Sequence, residues 1–126
     1  MRYLLDSTFA IDFLRARPQA TERMWRLVTA GDDPYLTDIV LCEIATGVRP
    51  AELSAIEVFV RSVEFVQPGP EVALQAGLWR GEARSRGLTL SVPDALIAAS
   101  ADALGAVVLT RNLRDFALTP VRVETY

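Results

Sequence analysis

The chain contains no histidine and no lysine, and all 13 of its basic residues are arginine. These absences remove Ser–His and Cys–His nucleophile pairs, histidine-ligated zinc, and the lysines of P-loops and Schiff bases. A single cysteine, Cys42, excludes an internal disulfide and suits a reducing, cytoplasmic setting. No apolar run approaches the roughly 20 residues of a membrane helix, so no membrane partner is expected. The opening "MRYLLDSTFAIDFL" is broken by Asp6 and Asp12 and lacks a small-residue cleavage site, unlike a signal peptide. Repeats, low-complexity stretches and long linkers are missing too. What remains for chemistry is carboxylates, hydroxyls and arginine.

A length of 126 residues fits one domain over residues 1–126, and 51% hydrophobic content supplies its core. The formal net charge is -3, so contact with nucleic acid must come from local patches rather than a global positive field.

Short apolar runs alternate with helical patterns. "RYLLD" reads as a buried strand ended by an acid, and "STFAIDFLRA" as a helix with Phe9, Phe13 and Leu14 inward and Asp12 outward. "TERMWRLVTAG" predicts a helix whose apolar stripe is Met24, Trp25, Leu27 and Val28. "DDPYLTD" predicts a turn and strand, after which Asp38 caps "IVLCEIATGV", with Cys42 in the core. Helices follow over "PAELSAIEVFVRS" and "PEVALQAGLWRGEARSRG", separated by the short strand and turn of "VEFVQPGP". Pro93 and Asp94 open the small-residue helix "DALIAASADALG". "AVVLT" is a fully apolar strand and "VRVETY" a last edge strand. This order predicts helices on both faces of a mostly parallel sheet.

In such a sheet, strand C-termini and the helix N-termini that follow them share one edge, where ligands bind. Asp6 ends the first strand, Asp94 begins a helix, and Asn112 and Asp115 follow "AVVLT". Glu43 lies about 7 Å down its helix from Asp38, at ~1.5 Å per residue. Converging carboxylates repel unless protons or a cation compensate. With only oxygen donors to offer, the cluster suits Mg²⁺ or Mn²⁺, ions that activate water for in-line attack on a phosphodiester.

Singly, each acid has a plainer reading. Asp6 caps a helix, Asp94 is an ordinary helix start, Glu43 is a rim residue and Asp115 a turn residue. Glu43 is hardest to dismiss, because Ile39, Val40, Leu41, Cys42, Ile44 and Ala45 leave its helix little solvent face. Asp12, Asp38 and Asp102 are assigned to structure, and the arginines near Trp79 to a solvated helix end. Arg111 and Arg114 flank the proposed site and are placed against phosphate.

"YLLDSTFAIDFL", "LTDIVLCEIATGV", "VPDALIAASADALGAVVLTRN" and "NLRDF" resemble, in order, the motifs of PIN-domain ribonucleases, and more narrowly the VapC-type toxins of prokaryotic toxin–antitoxin pairs. The resemblance spans nearly the whole chain. It implies a three-layer α/β/α PIN-like fold with a mainly parallel five-stranded sheet, and Mg²⁺- or Mn²⁺-dependent endoribonuclease activity on an RNA substrate. It also implies inhibition by a small cognate antitoxin and homodimerisation. Asp6, Glu43 and Asp94 match the family's three most regular acids. Ser7 is the hydroxyl after the first acid, followed by Thr8, and Thr110 matches the polar residue ending the fourth strand. Asn112 departs from the pattern, since many PIN domains carry an acid there, and Asp115 is the candidate to replace it. One ion held by the chain, with a second recruited with substrate, is the expectation.

Asp6 and Asp94 would anchor the ion, Glu43 would orient or activate the attacking water, Asp115 and Asn112 would complete the shell, and Ser7 and Thr110 would orient ligands. Two rivals stand beside this reading. A phosphotransfer domain with Asp6 as nucleophile ordinarily keeps a lysine, which this chain lacks. A PIN-like module without turnover would bind RNA or protein only. Apolar helices over residues 9–28 and 53–65 would take an antitoxin segment or a second subunit, or simply pack in the core.

Overall fold

The computed structural model describes all 126 residues. Strand β1 (Arg2–Leu5) leads into helices α1 (Ser7–Leu14) and α2 (Pro18–Thr29). Strand β2 (Asp33–Thr37) is followed by α3 (Asp38–Thr46), a short 3-10 turn (Pro50–Glu52) and α4 (Leu53–Ser62). Strand β3 (Glu64–Val66) precedes α5 (Pro70–Ser85) and α6 (Val92–Leu104). Strand β4 (Val107–Leu109), a 3-10 turn (Leu113–Phe116) and β5 (Val123–Glu124) complete the chain.

The five strands form one sheet in the order β3-β2-β1-β4-β5, and every pairing is parallel. The chain steps from β1 outward to β3, then crosses back to place β4 on the other side of β1. Right-handed crossovers set α1 to α4 on one face and α5 and α6 on the other, which yields the expected three layers. The reversal between β1 and β4 is a topological switch point, and it opens a crevice at their carboxyl ends.

The main core joins Leu4, Leu5, Phe9, Leu27, Leu36, Val108 and Leu109, all fully shielded from solvent. Helix α6 buries Ala95, Ile97, Ala98, Ala99, Ser100 and Ala101 almost all round, because its small side chains let it lie between the sheet and α5. Gly105 ends it at φ +63, a left-handed conformation that a side chain would strain.

Several sequence expectations give way here, each for a geometric reason. On α2 the buried residues are Ala20, Met24 and Leu27, at helical spacing. Trp25 and Val28 sit one position further round and are 69% and 55% exposed. On α3 the inward pair is Val40 and Ile44, so Cys42, between them, faces solvent rather than the core. Asp38 is the first residue of α3 rather than its cap. Thr37 holds the cap position, and Asp38 Oδ1 accepts from the Ile39 N–H at 2.8 Å. Asp12 is buried, not solvated. Arg80 donates to the Leu90 carbonyl at 2.9 Å, whereas Arg84 and Arg86 are solvated as expected. No helix is long and apolar enough to cross a membrane.

Candidate active site

Asp6 leaves the end of β1 and is buried at the switch point. The register that pairs Leu5 with Leu109 places Thr110 beside it on one side. The register that pairs Leu4 with Tyr35 places Thr37 beside it on the other. The last rung of the central sheet is therefore a carboxylate flanked by two hydroxyls.

The hydroxyls of Thr8 and Thr110 both donate to Asp6 Oδ2, at 2.9 and 2.7 Å. A hydroxyl has one proton, and each of these also accepts from a backbone amide. The Arg111 N–H donates to Thr8 Oγ1 at 3.1 Å and the Asn112 N–H to Thr110 Oγ1 at 3.0 Å. Each amide occupies one of the two acceptor positions of its hydroxyl, and both hydroxyl protons point to Asp6 Oδ2. Its other oxygen, Oδ1, takes no side-chain hydrogen bond. Thr37 Oγ1, by contrast, is buried without any partner.

Asp94 stands in the first turn of α6. The N-cap Ser91 accepts from the Asp94 N–H at 3.2 Å and donates to Asp94 Oδ2 at 2.7 Å, so the helix-start reading is correct as local structure. Asp94 again has one tethered oxygen and one free. Glu43 projects from the middle of α3, and its Oε1 is buried with no hydrogen-bond partner. It also lines a cleft of about 270 Å³ between α1, α3 and α4, bordered by Ile11, Leu14, Ile44, Val48 and Ile56.

Electrostatics ties these acids together. Burial raises the Glu43 carboxyl above its ordinary range, and the charges of Asp6 and Asp94 raise it further, while the Ser7 hydroxyl works in the opposite sense. Burial likewise raises Asp94, with Ser91 opposing and Asp115 and Asp6 adding to the rise. Asp6, Glu43, Asp94 and Asp115 therefore share one field, although no three of them are drawn close enough to grip a single ion directly. The donor set fits a hard divalent cation: only oxygens, mutual repulsion to relieve, and an orphaned buried carboxylate oxygen on Glu43. The open ground beside it is lined by Arg111, Asn112, Leu113, Arg114 and Asp115.

Ser7 lies by Glu43, and it is Thr8 that touches Asp6. Arg111, placed against phosphate from sequence, directs its Nη1 to both oxygens of Asp12, at 3.1 and 2.9 Å. Arg114 is exposed at the rim, and Asn112 and Asp115 are exposed with it. From sequence, Thr8 is named only as the neighbour of Ser7 and Asp12 is assigned to structure, while Ser91 and Tyr126 are given no role. Of these, only Ser91 had a visible signal, as a serine three residues before an acid at a helix start.

A profile of the PIN domain matches residues 3–120. Ribonuclease VapC19 of Mycobacterium tuberculosis is 33% identical over 117 residues, covering 93% of this chain and 94% of that protein. The tRNA(fMet)-specific endonuclease VapC of Salmonella typhimurium is 26% identical over 132 residues, covering 100% and 98%. Among solved structures, DNA-bound VapBC from Salmonella typhimurium superposes with a TM-score of 0.86 at 25% identity, over 99% of this chain and 98% of that one. VapBC2 from Rickettsia felis, bound to a DNA fragment from its promoter, gives 0.87 at 23% identity, over 100% and 99%, and speaks to the fold alone.

Proposed function

This chain belongs to the PIN-domain family, among the VapC-type ribonuclease toxins of toxin–antitoxin systems, and from that premise we propose that it is a Mg²⁺- or Mn²⁺-dependent endoribonuclease acting in the cytoplasm as a single domain. The observation that carries the reading is the pairing of tethered and free oxygens. Asp6 and Asp94 each have one oxygen fixed by hydroxyls, and Glu43 keeps a buried oxygen unpartnered. The two tethered carboxylates are oriented in advance, and a cation would offset the mutual repulsion of the acids.

Asp6 and Asp94 would hold the ion, with Asp115 and Asn112 at the open side. When bound, a divalent ion supplies charge for the phosphodiester oxygens and lowers the pKa of water. Glu43, made more basic mainly by its burial and then by the charge of Asp6, would orient the attacking water and accept its proton. Arg114 holds the RNA backbone from the rim. A small antitoxin would be the inhibitor. VapB–VapC complexes are known for the relatives by name, and the apolar cleft beside Glu43 offers a segment of such a partner a place next to the site. A second copy of the chain is a further partner, proposed from the family.

The test is cleavage of RNA by Asp6→Asn in Mn²⁺. Asparagine keeps the shape and removes the charge, so cleavage and growth inhibition should fall by at least ~100-fold, the scale of losing a principal electrostatic contact. Undiminished activity would remove Asp6 from the centre.

A further inference from the structure

Asp12 is a buried carboxylate that no part of the proposed chemistry uses. It is held from two sides. Arg111 Nη1 reaches both of its oxygens, and the Tyr126 hydroxyl donates to Oδ2 at 2.6 Å. Tyr126 is itself fixed, with its ring 4.9 Å from that of Phe9, edge to face, and its hydroxyl 3.3 Å from the Thr8 carbonyl. Burial and the Asp12 carboxylate push the phenol well above its usual range, so it remains a donor throughout the accessible pH range.

The same Arg111 whose side chain grips Asp12 sends its backbone N–H to Thr8 Oγ1, and the next residue sends its N–H to Thr110 Oγ1. Each amide takes one acceptor position on one of the two hydroxyls that bond Asp6, and so fixes where that hydroxyl oxygen sits. A continuous hydrogen-bonded path therefore runs from Tyr126 through Asp12 and Arg111 to the Thr8 and Thr110 hydroxyls and Asp6 Oδ2. Should the Thr110–Asn112 backbone drift, either hydroxyl could turn its proton to its neighbour, since Thr8 Oγ1 and Thr110 Oγ1 lie 3.1 Å apart. Asp6 would then lose a bond and its fixed orientation.

We propose that Asp12 is a positioning residue of the nuclease centre: anchored by Tyr126, it clamps Arg111 and thereby holds the Arg111 and Asn112 amides on Thr8 and Thr110, which keeps both hydroxyl protons on Asp6. The inference deepens the metal-dependent reading above and rests on it for its effect on catalysis, whereas the clamp itself is a property of the metal-free chain. It reassigns Arg111 from the substrate to the scaffold.

The experiment follows the Arg111 and Asn112 amides by hydrogen exchange in metal-free protein, together with the Mn²⁺ concentration giving half-maximal RNA cleavage. Asp12→Asn keeps the shape and weakens the clamp. Exchange at both amides should quicken by about tenfold, and the Mn²⁺ midpoint should rise by about tenfold, the usual scale for losing an outer partner of a metal ligand. Tyr126→Phe removes one bond to the same carboxylate and leaves Arg111 in place, so it should move both readouts in the same direction by about threefold. It carries the test alone if Asp12→Asn does not fold. Loss of thermal stability with both amides still protected and the Mn²⁺ midpoint unchanged would overturn the proposal, because a merely structural acid would behave that way. Wild-type protein that neither binds Mn²⁺ nor cuts RNA would sink the metal-nuclease reading instead, and faster exchange in the variants would still uphold the clamp.

Discussion

Glu43 on α3 and Asp94 on α6 reach the same crevice from two helices, and both carboxyls are pushed above their ordinary range, mainly by burial. An acid whose pKa is higher folded than unfolded binds its proton more readily in the folded chain. Its contribution favours folding below the unfolded value, near 4.5 for Glu43 and 3.8 for Asp94, and is lost as pH rises from there through the folded value. Metal-free protein at neutral pH therefore carries a destabilising charge cluster. Glu43→Gln should melt about 2–4 °C higher than wild type near pH 7 without metal, and the gap should close as pH falls to about 4. Thermal melts across that range check it, and a variant less stable than wild type at every pH would contradict the electrostatic account.

A cation should relieve the same repulsion. Mn²⁺ at about 100 times its dissociation constant would add ~2.7 kcal/mol to the folded state. Thr110→Val keeps the volume and removes one of the two protons that orient Asp6, so it should weaken Mn²⁺ binding by about tenfold. Titration calorimetry on metal-free protein measures this directly. Equal affinity in the variant would mean that the hydroxyl does not orient the ligand.

Much of this arrangement was legible in the sequence. Strand ends carrying Asp6 and Thr110, and a helix start carrying Asp94, follow from period and capping signals, and the sheet rule brings them to one edge. Glu43 stood out because it interrupts an apolar helix. What stayed hidden depends on which of two neighbouring side chains turns inward. Thr8 rather than Ser7 meets Asp6, and Trp25 turns outward beside Met24. The Asp12–Arg111–Tyr126 cluster joins residues 99 and 114 positions apart, which no local pattern encodes.

Arg111 and Arg114 should separate in RNA binding, because only Arg114 is free for phosphate. Arg114→Ala should weaken binding to single-stranded RNA and lower the slope of log affinity against log salt by about 0.7, as for one lost phosphate contact. Binding should still depend strongly on salt in the wild type despite the net charge of -3. Fluorescence anisotropy at several salt concentrations reads both. A flat salt response in the wild type would argue against an arginine-held backbone.

Phe116 ties the site's open side to the core. It is 1% exposed, within the 3-10 turn that also carries Arg114 and Asp115, whereas Leu113 in the same turn is 47% exposed. Burying the ring is what fixes a turn otherwise made of solvated residues. Phe116→Ala should therefore cost about 3–5 kcal/mol by the lost transfer energy and the cavity left behind, while Leu113→Ala should stay within about 0.5 kcal/mol. Urea denaturation distinguishes them. Equal, small losses would show that the turn holds its shape without the core, and that the Asn112–Asp115 edge of the site is set by its own backbone bonds alone.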